Sequence, residues 1–153
     1  MLKIRHYAKC DPISGQLRTA HQRQTEMIKI SIQPDCGNSP RKLFLKDLNV
    51  AIANGNSNFF ADSISENINW EIAGQLNVTG KENYLKTIIG HKLWKVKELN
   101  IDTIITHGAD ASVSGQIIAN DNSKFTFCDI YKFKGAGGTI INSIKTFLIK
   151  NDR

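Results

Sequence analysis

Residues 124–133 read KFTFCDIYKF. Successive strand side chains point to opposite faces, so as a strand Phe125, Phe127, Asp129, Tyr131 and Phe133 line one face, and Lys124, Thr126, Cys128, Ile130 and Lys132 the other. One carboxylate is thereby set in the middle of an aromatic stripe. Removing a carboxylate from water disfavours its charged form and raises its pKa unless a donor or a cation stands by. A group tuned that way exchanges protons near neutral pH. Asp129 is thus either an acid–base group or a satisfied core residue, or it lies near the strand's wet end, since structural networks perturb carboxylates too.

The β pattern continues outward from this stretch. Runs at about 98–107, 111–119, 123–133 and 139–149 are separated by Gly108-Ala109-Asp110, Asn120-Asp121-Asn122 and Gly135-Ala136-Gly137-Gly138, turn chemistry suited to hairpins. Upstream, Ser39 reads as an N-cap and Pro40 as a first helical residue, with Phe44, Leu48, Ala51 and Ile52 at helical spacing until Gly55. A shorter helix capped by Ser57 is expected next, with Phe59, Phe60 and Ile64 as its apolar side. A strand follows in which Ile68, Trp70 and Ile72 alternate with polar neighbours and Trp70 faces inward. Gly74 to Gly80 reads as a turn region. A third helix then carries Tyr84, Leu85, Ile88, Ile89 and Leu93, and Lys92, Lys95 and Lys97 fall where it ends. Helices segregated from an antiparallel run of strands imply an α+β domain, its helices packed on one face of a curved sheet.

Residues 1–38 differ from the rest: polar, punctuated by Pro12, Gly15, Pro34 and Gly37, and without sustained period. They are read as an N-terminal arm, partly flexible, ahead of a domain at 39–153. Within the arm Ile28, Ile30 and Ile32 alternate with Lys29 and Ser31, the pattern of a short strand. Met27 precedes it, so residues 1–26 are either a native arm or a product of start-site choice.

Composition narrows the function classes. With 153 residues, 41% hydrophobic and 22% charged, the chain can build one domain around a real core. No apolar run approaches the ~20 residues that span a bilayer, and Lys3, Arg5, His6, Lys9 and Asp11 interrupt any leader-like stretch. No membrane association is expected, and the cytoplasm is the default compartment. Cys10, Cys36 and Cys128 form no close pair, and His6, His21, His91 and His107 are scattered, so neither a disulfide framework nor a metal site is expected. Cys36, in Asp35-Cys36-Gly37, is taken as structural because no histidine adjoins it. The net charge of +6 splits between an arm carrying +3 and a body of mixed signs carrying the rest. That distribution describes a solvated surface more than a phosphate-tracking stripe, so specific nucleic-acid binding is not expected.

The segments PRKLFLKDLNVAIANG (40–55), ISENINWEIAG (64–74), FTFCDIYKFKG (125–135) and GTIINSIKTFLI (138–149), in this order, resemble the nuclear transport factor 2-like superfamily and, within it, the bacterial SnoaL-like proteins. The resemblance covers residues 39–149. It implies a cone: a strongly bent antiparallel or mixed sheet of five to six strands wrapped around about three helices, with an apolar pocket open at one end. It also implies homodimers formed through the outer face of the sheet. Members include polyketide cyclases, ketosteroid isomerases, dehydratases and epoxide hydrolases, besides transport and protein-binding modules, so the fold fixes little chemistry.

On that fold the pocket residues are Trp70, Val113, Gly115, Ile117, Phe125 and Phe127, with Asp129 and Tyr131 as candidate catalytic groups; Gly115 would leave room for a ligand. A small apolar or polycyclic organic molecule suits such walls. Asp129 would move a proton next to a carbonyl and Tyr131 would steady the oxyanion, without cofactor. His107, ahead of Gly108, is either a second acid–base group or an exposed strand end. The Asp–Arg–Asp arrangement implied for the epoxide hydrolases is not available, because residues 42–152 contain no arginine. The sequence therefore points to a small-molecule pocket that serves an isomerase, cyclase or dehydratase (lyase-like) enzyme, with two alternatives: a non-catalytic ligand carrier or sensor, and a dimeric protein-interaction module.

Overall fold

In the computed structural model, which describes residues 27–34 and 39–152, the aromatic stripe is the interior face of a long strand. Phe125, Phe127, Asp129, Tyr131 and Phe133 are all buried, while Lys124, Thr126, Ile130 and Lys132 are exposed. The elements in chain order are β1 (Lys29–Ile32), α1 (Pro40–Asn54), two single 3-10 turns (Ser57–Phe59 and Ala61–Ser63), β2 (Ile64–Ile72), β3 (Leu76–Thr79), α2 (Lys81–Ile89), β4 (Glu98–His107), β5 (Asp110–Ile118), β6 (Lys124–Phe133) and β7 (Ile141–Lys150). The class is α+β, as expected, but the count differs: two α-helices and seven strands among the described residues.

Three local readings account for the difference. Residues 57–63, expected as a short helix, make only two 3-10 turns; Ser, Asn and Asp fill the stretch and compete for backbone hydrogen bonds in non-helical forms. Leu76 and Val78, placed in a turn region, lie on a short edge strand paired with β2. The third expected helix stops at Ile89, and Gly90–Lys97 is an irregular segment. Its alternation of Lys92, Lys95 and Lys97 with Leu93 and Val96 separates an exposed side from a packed one. The expected Ile28–Ile32 strand is present as β1. The expectations for residues 1–26, and for Asp35, Cys36 and Gly37, lie outside the described residues.

All seven strands form one mixed sheet in the order β1-β4-β5-β6-β7-β2-β3, parallel at β1–β4 and β2–β7 and antiparallel elsewhere. Its concave face receives Leu45 and Leu48 from α1 and Tyr84 and Ile88 from α2, which with Ile68, Trp70 and Ile72 make up much of the core. No helix among the described residues is long and apolar enough to cross a membrane.

A bulge in β4 bends the sheet. Ile101 pairs with Gly115 and Thr103 with Ser114, leaving Asp102 as the extra residue. Parity inverts there: Leu99 and Ile101 are buried before it, Ile104 after it, and Thr103, Ile105 and His107 face out. Gly115 answers to the same bend, since a Cβ at that position would run into the Asn100 carbonyl. The space that the sequence assigns to a ligand at Gly115 is filled by the backbone of β4.

Where β4 turns into β5 and β6 into β7, the structure is tied by Arg41 in the first turn of α1. Its guanidinium donates to the carbonyls of Gly108, Gly135 (2.9 Å) and Gly138 (3.2 Å from Nε), and it lies over the Phe133 ring, 4.2 Å from the centroid. Arg41 is 9% exposed. All its hydrogen-bond partners among the described residues are neutral carbonyls.

Candidate ligand-binding cavity

Strand register decides what Asp129 meets. Thr146 of β7 stands directly opposite it, and the Thr146 hydroxyl donates to Asp129 Oδ1 at 2.6 Å. Tyr131, two residues along the same face, donates to Oδ2 at 3.1 Å. Outer partners orient both donors: Trp70 Nε1 of β2 donates to Thr146 Oγ1 at 3.1 Å, and Asn49 Nδ2 of α1 donates to the Tyr131 hydroxyl at 3.4 Å and to the Leu45 carbonyl at 2.9 Å. Four side chains from four elements thus form a network around one carboxylate, two of them bonded to it directly.

That carboxylate is 9% exposed. Burial pushes its pKa up to about 6, and the hydrogen bonds from Thr146 and Tyr131, which favour the charged form, pull the other way. Burial dominates because no cationic side chain lines the space around it. The Tyr131 hydroxyl is held well above its ordinary range, first by burial and then by the Asp129 charge. Its one proton is directed at Asp129, so a donation from Tyr131 to a ligand requires that bond to break.

Asp129 borders a partly open cavity of about 40 Å³ between the concave sheet, α1, α2 and the segment after α2. Of the residues expected to line a pocket, Trp70, Ile117, Phe127, Asp129 and Tyr131 do so. Val113, Gly115 and Phe125 are buried but stand away from the cavity wall. His107 is exposed at the far end of β4, outside the cavity, because the Asp102 bulge turned its parity outward. Three polar lining residues escaped sequence reasoning: Asn49, Tyr84 and Thr146. Thr146 had a visible signal, being the polar member of the Ile144–Thr146–Leu148 parity, the same anomaly that marks Asp129. Tyr84 reads in sequence as one more apolar position on a helix.

Leu93 and Val96 close the cavity from the irregular segment. The second half of that segment is fastened: Lys95 and Val96 N–H donate to Ile52 and Ala53 of α1, and Lys97 N–H to Ile118 of β5. The first half, His91–Trp94, makes only local backbone bonds and is held by ring contacts of His91 with Trp70 (5.6 Å) and Trp94 with Phe60 (6.3 Å). The His91 pKa is lowered by burial and by Lys92. No cluster of three or more His, Cys, Asp or Glu side chains suited to a metal ion occurs among the described residues.

No protein-family model and no curated protein matches the sequence. Solved structures define the architecture. The chain has the nuclear transport factor 2-like fold: it is similar to a nuclear transport factor 2-like protein of unknown function from Burkholderia xenovorans (TM-score 0.64, 13% identity, 74% of this chain and 85% of that one). It is also similar to a candidate ketosteroid isomerase from Kribbella flavida (TM-score 0.62, 13% identity, 74% and 80%). An epoxide hydrolase of M. tuberculosis, described as limonene-epoxide-hydrolase-like, matches with a TM-score of 0.59 at 13% identity over 71% and 82%. At these identities the likeness is one of fold.

Proposed function

We propose that this chain is a SnoaL-like small-molecule-binding protein whose cavity performs acid–base chemistry through Asp129, of the isomerase, cyclase or dehydratase kind. One observation carries the reading: a buried carboxylate, its pKa brought to about 6, forms part of the wall of an otherwise mostly apolar cavity. A base in that range is largely ionised at neutral pH and still readily reprotonated. Next to a carbonyl compound, the carboxylate takes an α-proton; the C–H pair becomes the C=C of an enolate and the carbonyl π pair moves to oxygen. Return of the proton from Asp129 to carbon completes an exchange or an isomerisation with no other reactant.

Size sharpens the ligand class. A cavity of ~150 Å³ holds benzene, whereas this one has about 40 Å³. The reading therefore favours a small ligand; a polycyclic one requires Leu93 and its neighbours to move. The exposed apolar residues Ile105, Ile130, Phe147 and Ile149 on the outer face of the sheet support association as a homodimer. A carrier function is favoured by a different observation, that both carboxylate oxygens already accept a hydrogen bond within the protein.

Hydrogen–deuterium exchange at the α-carbons of cyclobutanone in D2O separates the two. Acid–base chemistry predicts exchange above the buffer rate that falls by about 100-fold or more in Asp129→Asn. No exchange above buffer, or equal exchange by the variant, refutes the catalytic reading.

A further inference from the structure

Tyr84, in the first turn of α2, is 1% exposed, and its hydroxyl makes no hydrogen bond with any described residue. Every fully sealed side-chain nitrogen or oxygen among the described residues is bonded, so the Tyr84 hydroxyl keeps a small accessible area, on a side chain that lines the cavity. The ring is fixed by an edge-on contact with Trp70, centroids 5.3 Å apart. Asp129 is near enough for its charge to raise the Tyr84 pKa further, after burial. Its two oxygens, however, take their hydrogen bonds from Thr146 and Tyr131.

We infer that Tyr84 is the residue that holds the ligand, donating its hydroxyl proton to the carbonyl oxygen of a small neutral molecule lodged between it and Asp129. A tyrosine so far from ionisation keeps its proton and can offer it. The other four donors on the wall are spent: Thr146 and Tyr131 on Asp129, Trp70 on Thr146, and Asn49 on Tyr131 and Leu45. An anionic ligand is disfavoured, because it would face a carboxylate without a cation on the cavity wall. The substrate class is thus a compact ketone, aldehyde or ester. This inference deepens the reading of Asp129 and rests on it for the ligand's orientation. In the reaction drawn above, the charge arriving on the carbonyl oxygen meets the Tyr84 O–H.

The test compares binding of cyclobutanone with that of methylenecyclobutane, which carries a methylene in place of the oxygen, followed by NMR titration. Wild type is expected to bind the ketone about tenfold more tightly. Tyr84→Phe is expected to bind both compounds equally, with an unchanged melting temperature, since the lost hydroxyl has no protein partner. Survival of the ketone preference in Tyr84→Phe overturns the inference. So does a fall in melting temperature with unchanged binding, which would make the hydroxyl structural. Leu93→Ala widens the cavity wall, and failure of both compounds to bind wild type and this variant overturns it as well. A ketone preference in a protein that exchanges no α-hydrogen removes the acid–base reading and leaves Tyr84 standing; exchange without preference does the reverse.

Discussion

At the end of the sheet where β4 turns into β5 and β6 into β7, a guanidinium binds three backbone carbonyls. Halfway along β6 a carboxylate faces a cavity closed by Leu93 and Val96. Both charges are buried, both lack a counter-ion among their bonded partners, and they differ in what pH does to them. A guanidinium keeps its proton throughout the accessible range and carbonyls do not titrate, so the Arg41 end is fastened the same way at pH 5 and pH 8. The carboxylate changes its charge close to neutrality. Firm anchoring and proton exchange are thus assigned to the end and the middle of one sheet.

The largest expected effect is at the anchored end. Arg41→Leu keeps an apolar contact with Phe133 but strips the donors from three carbonyls, at a cost of about 3–4 kcal/mol in urea denaturation. The loss should be equal at pH 5 and pH 8, and a loss that changes with pH would break the comparison. At the carboxylate the effect is pH-borne. The folded Asp129 holds its proton more tightly than the unfolded chain does, from an ordinary 3.8 up to about 6. The stability this contributes is complete below the lower value and disappears as pH rises through the upper one. Between pH 4 and pH 7 wild type should therefore lose about 2 kcal/mol relative to Asp129→Asn. A constant difference between the two would mean that the carboxylate titrates normally.

How far the sequence revealed these two places depended on the kind of signal. A two-residue period is local and unambiguous over ten residues, so the interior face of β6, with Asp129 among aromatics, was legible in full. β1 was legible for the same reason, from three alternating isoleucines. His107 was left between a catalytic group and the exposed strand end that it is, because a bulge leaves no local mark: Asp102 looks like any polar strand residue until its register is known. The Lys92–Lys97 alternation fits a helix end as well as an irregular segment with one packed side, and only the positions of Ile52, Ala53 and Ile118 decide between them. Tyr84 could not be singled out, since what distinguishes it is the lack of a partner for its hydroxyl, a property of the assembled cavity. Arg41 was noticed only as the boundary of an arginine-free stretch; its partners are backbone atoms and carry no side-chain signature.

The smallest effect belongs to the segment that closes the cavity. Leu93 is half-buried, so Leu93→Ala should cost only about 1 kcal/mol, below the range for fully buried leucines. Amide exchange should divide the segment, with Leu93 and Trp94 exchanging faster than Val96 and Lys97, whose N–H groups are bonded to α1 and β5. Uniform protection from residue 91 to 97 would show a rigid wall and leave a larger ligand no way in.

The single extra residue at Asp102 behaves as a phase shifter. A strand is a binary code of inside and outside, and one insertion inverts every symbol after it. Removing Asp102 would set Ile101, Thr103 and Ile104 opposite Gly115, Ser114 and Val113 in an unbroken ladder, with every side chain still on its present face. An alignment of this chain with a relative that lacks the bulge would therefore need its gap in mid-strand at this residue. Placed instead in the following turn, the gap would put an exposed histidine into the core on paper.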